Sequence, residues 1–191
     1  TTANLVTSDL NRSLLYSSYS MVFDGTDYID CGNDSSLNIT STITLSAWIK
    51  PTTAITSQNF PMFVAKGINS DYMLFANSGT GTARMRLGAS YLIDSISTIS
   101  TDVWTHVAGT YDGTNLKIYL NGVLDNTVPQ TGAIPSTSGS LQIGAANTGN
   151  KFDGNISNAA IFTLALTQDQ ILTIYNGGAP NDISSLSPVG W

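Results

Sequence analysis

All thirteen acidic residues of this chain are aspartates, and it has a single histidine and a single cysteine. That inventory restricts the available chemistry. Cleaving a glycosidic bond with paired carboxylates needs an acid and a nucleophile or base on two facing groups. No two aspartates fall at i, i+2 or i+4 along a strand-like run that would aim both at one bond. Asp24, Asp27 and Asp30 come nearest, and they span a glycine-containing turn. His106 lies mid-strand with no second imidazole, and no Gly-x-Ser-x-Gly elbow supplies a nucleophile for it. It is expected to be a core imidazole bonded to a neighbour. Cys31 can form neither an intrachain disulfide nor a thiolate metal cage and is expected to be buried and inert. Catalysis is not expected.

Binding chemistry is better represented. In 43–50 the apolar set Ile43, Leu45, Ala47 and Ile49 alternates with Thr44, Ser46, Trp48 and Lys50. Met85 and Leu87 alternate with Arg84 and Arg86, and Leu116, Ile118 and Leu120 with Lys117, Tyr119 and Asn121. A period of two is that of a half-buried strand. If these strands share a sheet, one face carries Trp48, Arg84, Arg86, Lys117, Tyr119 and Asn121. An aromatic plate beside hydrogen-bonding groups suits a sugar ring, whose C–H face packs on the indole. Two alternatives stand beside this: a crossing segment covers Trp48, or a one-residue register slip turns it into the core.

The elements that must position these residues are short and numerous. Strand-like runs fall near 13–24, 27–31, 43–50, 61–66, 71–77, 82–88, 91–96, 103–111, 115–121, 123–128, 139–144 and 152–163. Asp112-Gly113 and Asn121-Gly122 are strong hairpin signals, because glycine accepts positive φ at little steric cost. Strands this dense without interleaved long helices imply antiparallel sheets packed face to face. One helix is expected near the end. Thr167 and Gln170 fit a capping box, Ile171, Ile174 and Tyr175 form an apolar stripe, and Gly177, Gly178 and Pro180 stop it.

Composition agrees. At 191 residues with 41% hydrophobic and 10% charged residues, the chain is long enough for one domain with a substantial core. A net charge of −6 and seven scattered basic residues leave no stripe for nucleic acid. No apolar run is long enough for a membrane-spanning helix. Asn11, Asn33, Asn38 and Asn155 open glycosylation sequons that a chain rich in Asn, Ser and Thr produces by chance. The chain begins with Thr and ends on Trp191, so it is expected to be a piece of a larger polypeptide, with any targeting segment removed.

The run from Trp104 to Val123 resembles the central hairpin of laminin-G-like jelly rolls in the concanavalin A-like lectin/glucanase superfamily. Further segments match in family order: Phe23–Ile29 is similar to the opening strand, Ile43–Pro51 to the next core strand, and Leu141–Gly144 to a later one. Phe152–Ile156 followed by Ala165–Ile171 is similar to the closing strand and helix. The resemblance implies an all-β, two-sheet antiparallel jelly-roll sandwich with a short C-terminal helix. The expected division is an arm or linker at 1–12, the jelly roll at 13–178 and a tail at 179–191. It also implies that first and last strands lie together, where some members hold a structural calcium ion. Asp24-Gly25 and Asp153-Gly154 are the matching pair, although both also fit turns that begin with Asp. Ser157 and Asn158 stand where the family often has acidic residues.

The expected function is a non-catalytic binding or adhesion module, with carbohydrate as the leading ligand. The alternatives are a spacer packing against neighbouring subunits and, least favoured, a glycoside hydrolase. Tyr175–Pro180 and Ser187–Trp191 resemble connectors in phage virion proteins, which implies a virion-surface or extracellular location.

Overall fold

A computed structural model describes residues 19–67, 70–146, 149–180 and 183–186. The elements are β1 (Met21–Asp24), β2 (Ile29–Asp30), β3 (Ile43–Pro51), β4 (Met62–Lys66), β5 (Tyr72–Asn77), β6 (Thr82–Leu87) and β7 (Tyr91–Thr98). They continue with β8 (Thr105–Tyr111), β9 (Asn115–Leu120), β10 (Val123–Pro129), β11 (Leu141–Ile143), β12 (Asp153–Phe162) and α1 (Gln168–Tyr175). The strands form two six-stranded antiparallel sheets: sheet A in the order β1-β12-β3-β8-β9-β10, and sheet B in the order β2-β11-β4-β5-β6-β7. The expected jelly-roll class is observed. The expected arm at 1–12 and residues 13–18 lie outside the described residues, as does part of the 179–191 tail.

Strand parity places the main core between the sheets. Ile43, Leu45, Ala47 and Ile49 of β3 and Leu116 and Ile118 of β9 meet Tyr72, Leu74, Ala83, Met85 and Leu87 of sheet B. The turns fall where the sequence places them. Asp112 Oδ1 accepts from the Thr114 and Asn115 N–H groups (2.8 and 2.7 Å) and from the Thr114 hydroxyl (2.6 Å), and it lets Gly113 turn at φ 90°. Asn121 and Gly122, at φ 49° and 77°, make the two-residue link of β9 to β10, with the positive φ values that this tight hairpin requires.

A second apolar layer lies on the outer face of sheet A. Thr44 Oγ1 donates to the Leu164 carbonyl (2.7 Å) and accepts from the Leu166 N–H (2.9 Å), fixing the chain after β12 against β3. Both halves of the Thr167–Gln170 capping box then start α1. Ile171 and Ile174 pack with Ala108, Tyr119, Ala160, Phe162 and Leu166. Gly122 admits this docking. A Cβ there would lie 2.9 Å from the Tyr175 ring and 3.1 Å from Leu172.

The sheets are laced along one flank. The Asp125 carboxylate of β10 accepts from the Ile96 and Ser97 N–H groups of β7, and the Asn126 amide donates to the Asp94 carbonyl. On the opposite flank β12 faces β4, β11 and the segment around Leu37 across a cleft of about 380 Å³.

Candidate functional site

The six residues expected to share one face do not. Trp48, Lys117, Tyr119 and Asn121 belong to sheet A or its β9–β10 turn, whereas Arg84 and Arg86 lie on β6 of sheet B. Trp48 does leave the main core, as its parity requires, but α1 covers it and it is 2% exposed. Its indole stacks on Tyr175 (ring centroids 5.6 Å, interplanar angle 18°) and tilts against His106 at 5.4 Å. Tyr119, 3% exposed, packs in the same layer. Neither ring is open to a sugar, so the exposed aromatic plate expected on this face is corrected to a second core. The helix that the sequence itself encodes occupies the space.

The remaining four have partners of their own. Asn121 Oδ1 accepts from the His106 N–H (2.9 Å), and Lys117 lies 3.8 Å from Asp112. Arg84 pairs with Asp94 through two hydrogen bonds of 2.5 and 2.6 Å, with its guanidinium 5.8 Å from the centre of the Phe75 ring. Arg86 donates to the Gly88 and Ala89 carbonyls (3.2 and 2.5 Å).

His106 is the core histidine expected. Its Nε2 lies 2.9 Å from Ser46 Oγ, and burial pushes its pKa down to about 3, so it is neutral. Cys31 departs from expectation, because it is exposed. Its thiol pKa is raised, first by partial desolvation and then by the charge of Asp30.

A polar depression lies elsewhere, at the end of the sandwich where β3 leaves and β12 begins. It encloses about 520 Å³ and is lined by Gly25, Thr53, Ser57, Gln58, Asn59, Gly149, Asn150, Lys151 and Asp153. Gln58 organises it. Its amide nitrogen donates to the Thr53 and Asp153 carbonyls (3.1 and 3.3 Å), and its oxygen accepts from the Asp153 N–H (2.9 Å). Asn59 donates to Asn150 Oδ1 (3.1 Å), tying the two rims together.

Two half-exposed aromatics adjoin residues of this lining without themselves lining it. Phe60 follows Asn59 directly and is 38% exposed, at φ 45°, with its ring 6.5 Å from Phe75. Tyr28, also 38% exposed, holds its ring 5.5 Å from the Lys151 ammonium, which donates to the Thr26 carbonyl. Amides, hydroxyls, one cation and one carboxylate can hydrogen-bond a polyol, and an aromatic beside them can pack on its C–H face.

The expected metal pair meets at the same end. β1 pairs with β12 so that Asp24 and Asp153 are direct cross-strand partners. Thr26 donates to Asp24 Oδ1 through its hydroxyl (2.6 Å) and N–H (2.8 Å), which lowers the Asp24 pKa and keeps it ionised. Asp153 Oδ2 accepts from the Thr53 hydroxyl (3.1 Å). Among the described residues no group of three or more His, Cys, Asp or Glu forms a metal cluster. The groups near this end carry oxygen donors only, while Gln58 Oε1, Asn150 Oδ1 and Asp153 Oδ2 already accept hydrogen bonds within the protein.

Periodicity does not mark Gln58, Asn59, Phe60, Asn150, Lys151 or Tyr28. They sit in turns, and Gln58 and Asp153 are 95 residues apart. Pairing of β3 with β12 brings those turns together.

Comparison with known proteins agrees with this architecture. Domain 4 of AbnA, a GH43 extracellular arabinanase from Geobacillus stearothermophilus solved with arabinotriose, aligns with a TM-score of 0.67 at 22% identity, covering 82% of this chain and 76% of that one. The Ruminococcus gnavus IT-sialidase CBM40 bound to α2,3 sialyllactose aligns with a TM-score of 0.61 at 17% identity, covering 82% and 98%. Pappalysin-1 of Mus musculus is 33% identical over 75 residues, 37% of this chain but 5% of that protein's length. Residues 23–172 match Laminin_G_3, and the chain belongs to this family of the concanavalin A-like lectin/glucanases superfamily.

Proposed function

We propose that this domain is a non-catalytic carbohydrate-binding module and that the hollow between Tyr28 and Phe60 is its glycan seat. The observation that carries the proposal is a depression of about 520 Å³ lined by amide and hydroxyl groups, two of whose lining residues adjoin exposed aromatics: Phe60 follows Asn59, and Tyr28 packs on Lys151. Arg84 and Arg86 would extend the seat, since Phe75 links the Arg84 guanidinium to Phe60 across the outer face of sheet B. The arabinotriose- and sialyllactose-bound relatives support glycan as the ligand class.

A hydrolytic role fits poorly. The chain has no glutamate, and Asp24 and Asp153, direct cross-strand partners, are engaged by Thr26 and Thr53. No helix among the described residues is long and apolar enough to cross a membrane. An extracellular or surface setting suits a glycan binder, and a virion surface is its narrower form. A calcium ion held by Asp24 and Asp153 would brace β1 against β12 beneath the seat.

A glycan array followed by titration of the hits tests this. Phe60→Ala and Tyr28→Ala are each expected to weaken binding by about tenfold, the cost of one lost aromatic contact, while Lys117→Ala binds as wild type. Absence of binding across the array would sink the proposal in favour of a spacer that packs against neighbouring subunits. Reducing-sugar release would instead restore the enzyme.

A further inference from the structure

The sequence holds two Asn-Gly pairs, Asn121-Gly122 and Asn176-Gly177. Asparagine before glycine is prone to spontaneous deamidation, because glycine has no side chain to hinder its nitrogen as it attacks the preceding carboxamide. The fold holds the two pairs very differently.

Asn121 is clamped at both ends. Its side-chain oxygen accepts from the His106 N–H (2.9 Å), and its own N–H donates to the His106 carbonyl (2.8 Å). Gly122 is buried beneath Tyr175 and Leu172, and its carbonyl accepts from the Gln168 amide. Bringing the Gly122 nitrogen onto the Asn121 carboxamide would require the β9–β10 turn and the docked helix to open together. Asn176 lies at the free end of that same helix. It is exposed, at φ 46° and ψ 43°, and its N–H donates to the Leu172 carbonyl (2.9 Å). Gly177 and Gly178 are exposed as well, and a Cβ on Gly177 would meet nothing within 4 Å. The backbone here can turn without disturbing a strand.

We propose that Asn176 is a site of spontaneous deamidation in the folded domain and that the fold protects Asn121 from it. The Gly177 nitrogen attacks Asn176 Cγ and forms the new C–N bond of a cyclic imide. The bond from Cγ to the amide nitrogen breaks, and ammonia leaves with the proton that the Gly177 nitrogen gives up. Water then adds to one of the imide carbonyls. Opening on one side gives aspartate, and opening on the other gives isoaspartate, in which the main chain runs through the former side chain. Either product sets a negative charge at the C-terminal end of α1, where the helix dipole disfavours it. That end carries Tyr175, which stacks on Trp48, so the conversion loosens the cover of the second apolar layer. The site is independent of glycan binding.

Incubation of the full chain at mildly alkaline pH, followed by trypsin, reads both pairs. Cleavage after Lys117 and Lys151 puts Asn121 in the peptide 118–151 and Asn176 in the peptide 152–191. In the folded protein the acid form of 152–191 is expected to accumulate about tenfold faster than that of 118–151, with isoaspartate at position 176. In urea the two rates should converge, as the protection of Asn121 is lost. Asn176→Gly, which keeps the left-handed cap, should abolish the conversion in 152–191. Equal rates in the folded protein, or no conversion of 152–191, would overturn the proposal. Conversion that persists in Asn176→Gly would place it at another asparagine and refute the site. Rates that stay about tenfold apart in urea would trace the difference to local sequence and refute protection by the fold.

Discussion

His106 gives the fold a pH dependence whose size follows from its surroundings. The ring is enclosed by Trp48, Tyr175 and Ser46 beneath α1, and desolvation lowers its pKa from an ordinary 6.5 to about 3. The folded state therefore refuses a proton that the unfolded chain accepts. Above pH 6.5 neither state holds it and the contribution to stability is fully present. As pH falls below 6.5 the unfolded state gains free energy by protonation, and the loss continues until the folded ring itself titrates near 3. From the same two values the loss is about 2 kcal/mol at pH 5 and about 3 kcal/mol at pH 4. With one histidine in the chain, no other imidazole contributes. Urea unfolding at pH 7.5 and pH 5.0 measures it, with His106→Gln as the reference because glutamine can still hydrogen-bond Ser46 while losing the titration. The aspartates are common to both proteins and cancel in the comparison. Wild type is expected to lose about 2 kcal/mol more than the variant over this interval. Parallel losses in the two proteins would refute the claim that the ring is held neutral by burial.

Three further outcomes rest on other parts of the structure. Gly109→Ala should cost about 1–3 kcal/mol in urea unfolding, because the added Cβ would lie 2.5 Å from Met85 Sδ, where the two sheets meet; a neutral effect would mean that Met85 simply moves aside. The buried pair Lys66–Asp71, 2.6 Å apart and 0% and 1% exposed, predicts that Lys66→Met alone destabilises by about 3–5 kcal/mol, since a carboxylate is stranded, and that adding Asp71→Leu recovers much of the loss. A double variant as unstable as the single would contradict this. Calcium should raise the melting temperature and EDTA should reverse the rise, because an ion bound to the folded state alone stabilises it. Asp153→Asn should abolish the response, and a melting temperature indifferent to both additives would remove the ion from the proposal.

The features legible in the sequence are those whose signal and geometry lie within a few residues. Asp112-Gly113, Asn121-Gly122 and Thr167 with Gln170 each fold as their local chemistry dictates. The alternation of Ile43, Leu45, Ala47 and Ile49 correctly assigns the core face of β3. The same alternation correctly turns Trp48 away from that core, but parity says nothing about what meets the other face. Thr44 is 122 residues from Leu166, the contact that brings α1 over Trp48. A signal for this was nevertheless present: Ile171, Ile174 and Tyr175 form an apolar stripe that needs an apolar partner, and Trp48, Tyr119 and Phe162 supply one. Pairing the two unmatched faces would have placed the helix. The condition that the strand of Arg84 and Arg86 shares a sheet with β3 fails for a different reason. The chain crosses from sheet A to sheet B between β3 and β4, and side-chain periodicity is identical in either sheet.

This difference determines where a ligand can be held on such a fold. β3 has neighbours on both edges and apolar layers on both faces, so every group it presents is spent on packing, Trp48 included. Side chains available to a solute must come from uncovered faces or from the ends of strands. There the backbone takes conformations that periodicity does not describe, as Phe60 and Asn150 do at φ 45° and 53°. Trp48, the tryptophan that strand alternation offers to a sugar, is therefore committed to the core. In the proposed seat the task would fall to Phe60 and Tyr28, both half-exposed and outside the strands, beside amides brought together by the ladder of β3 with β12. A polar ligand in that hollow would touch several loops that the strands hold in place, so its specificity can change through turn residues while the alternating pattern of the sheets stays fixed.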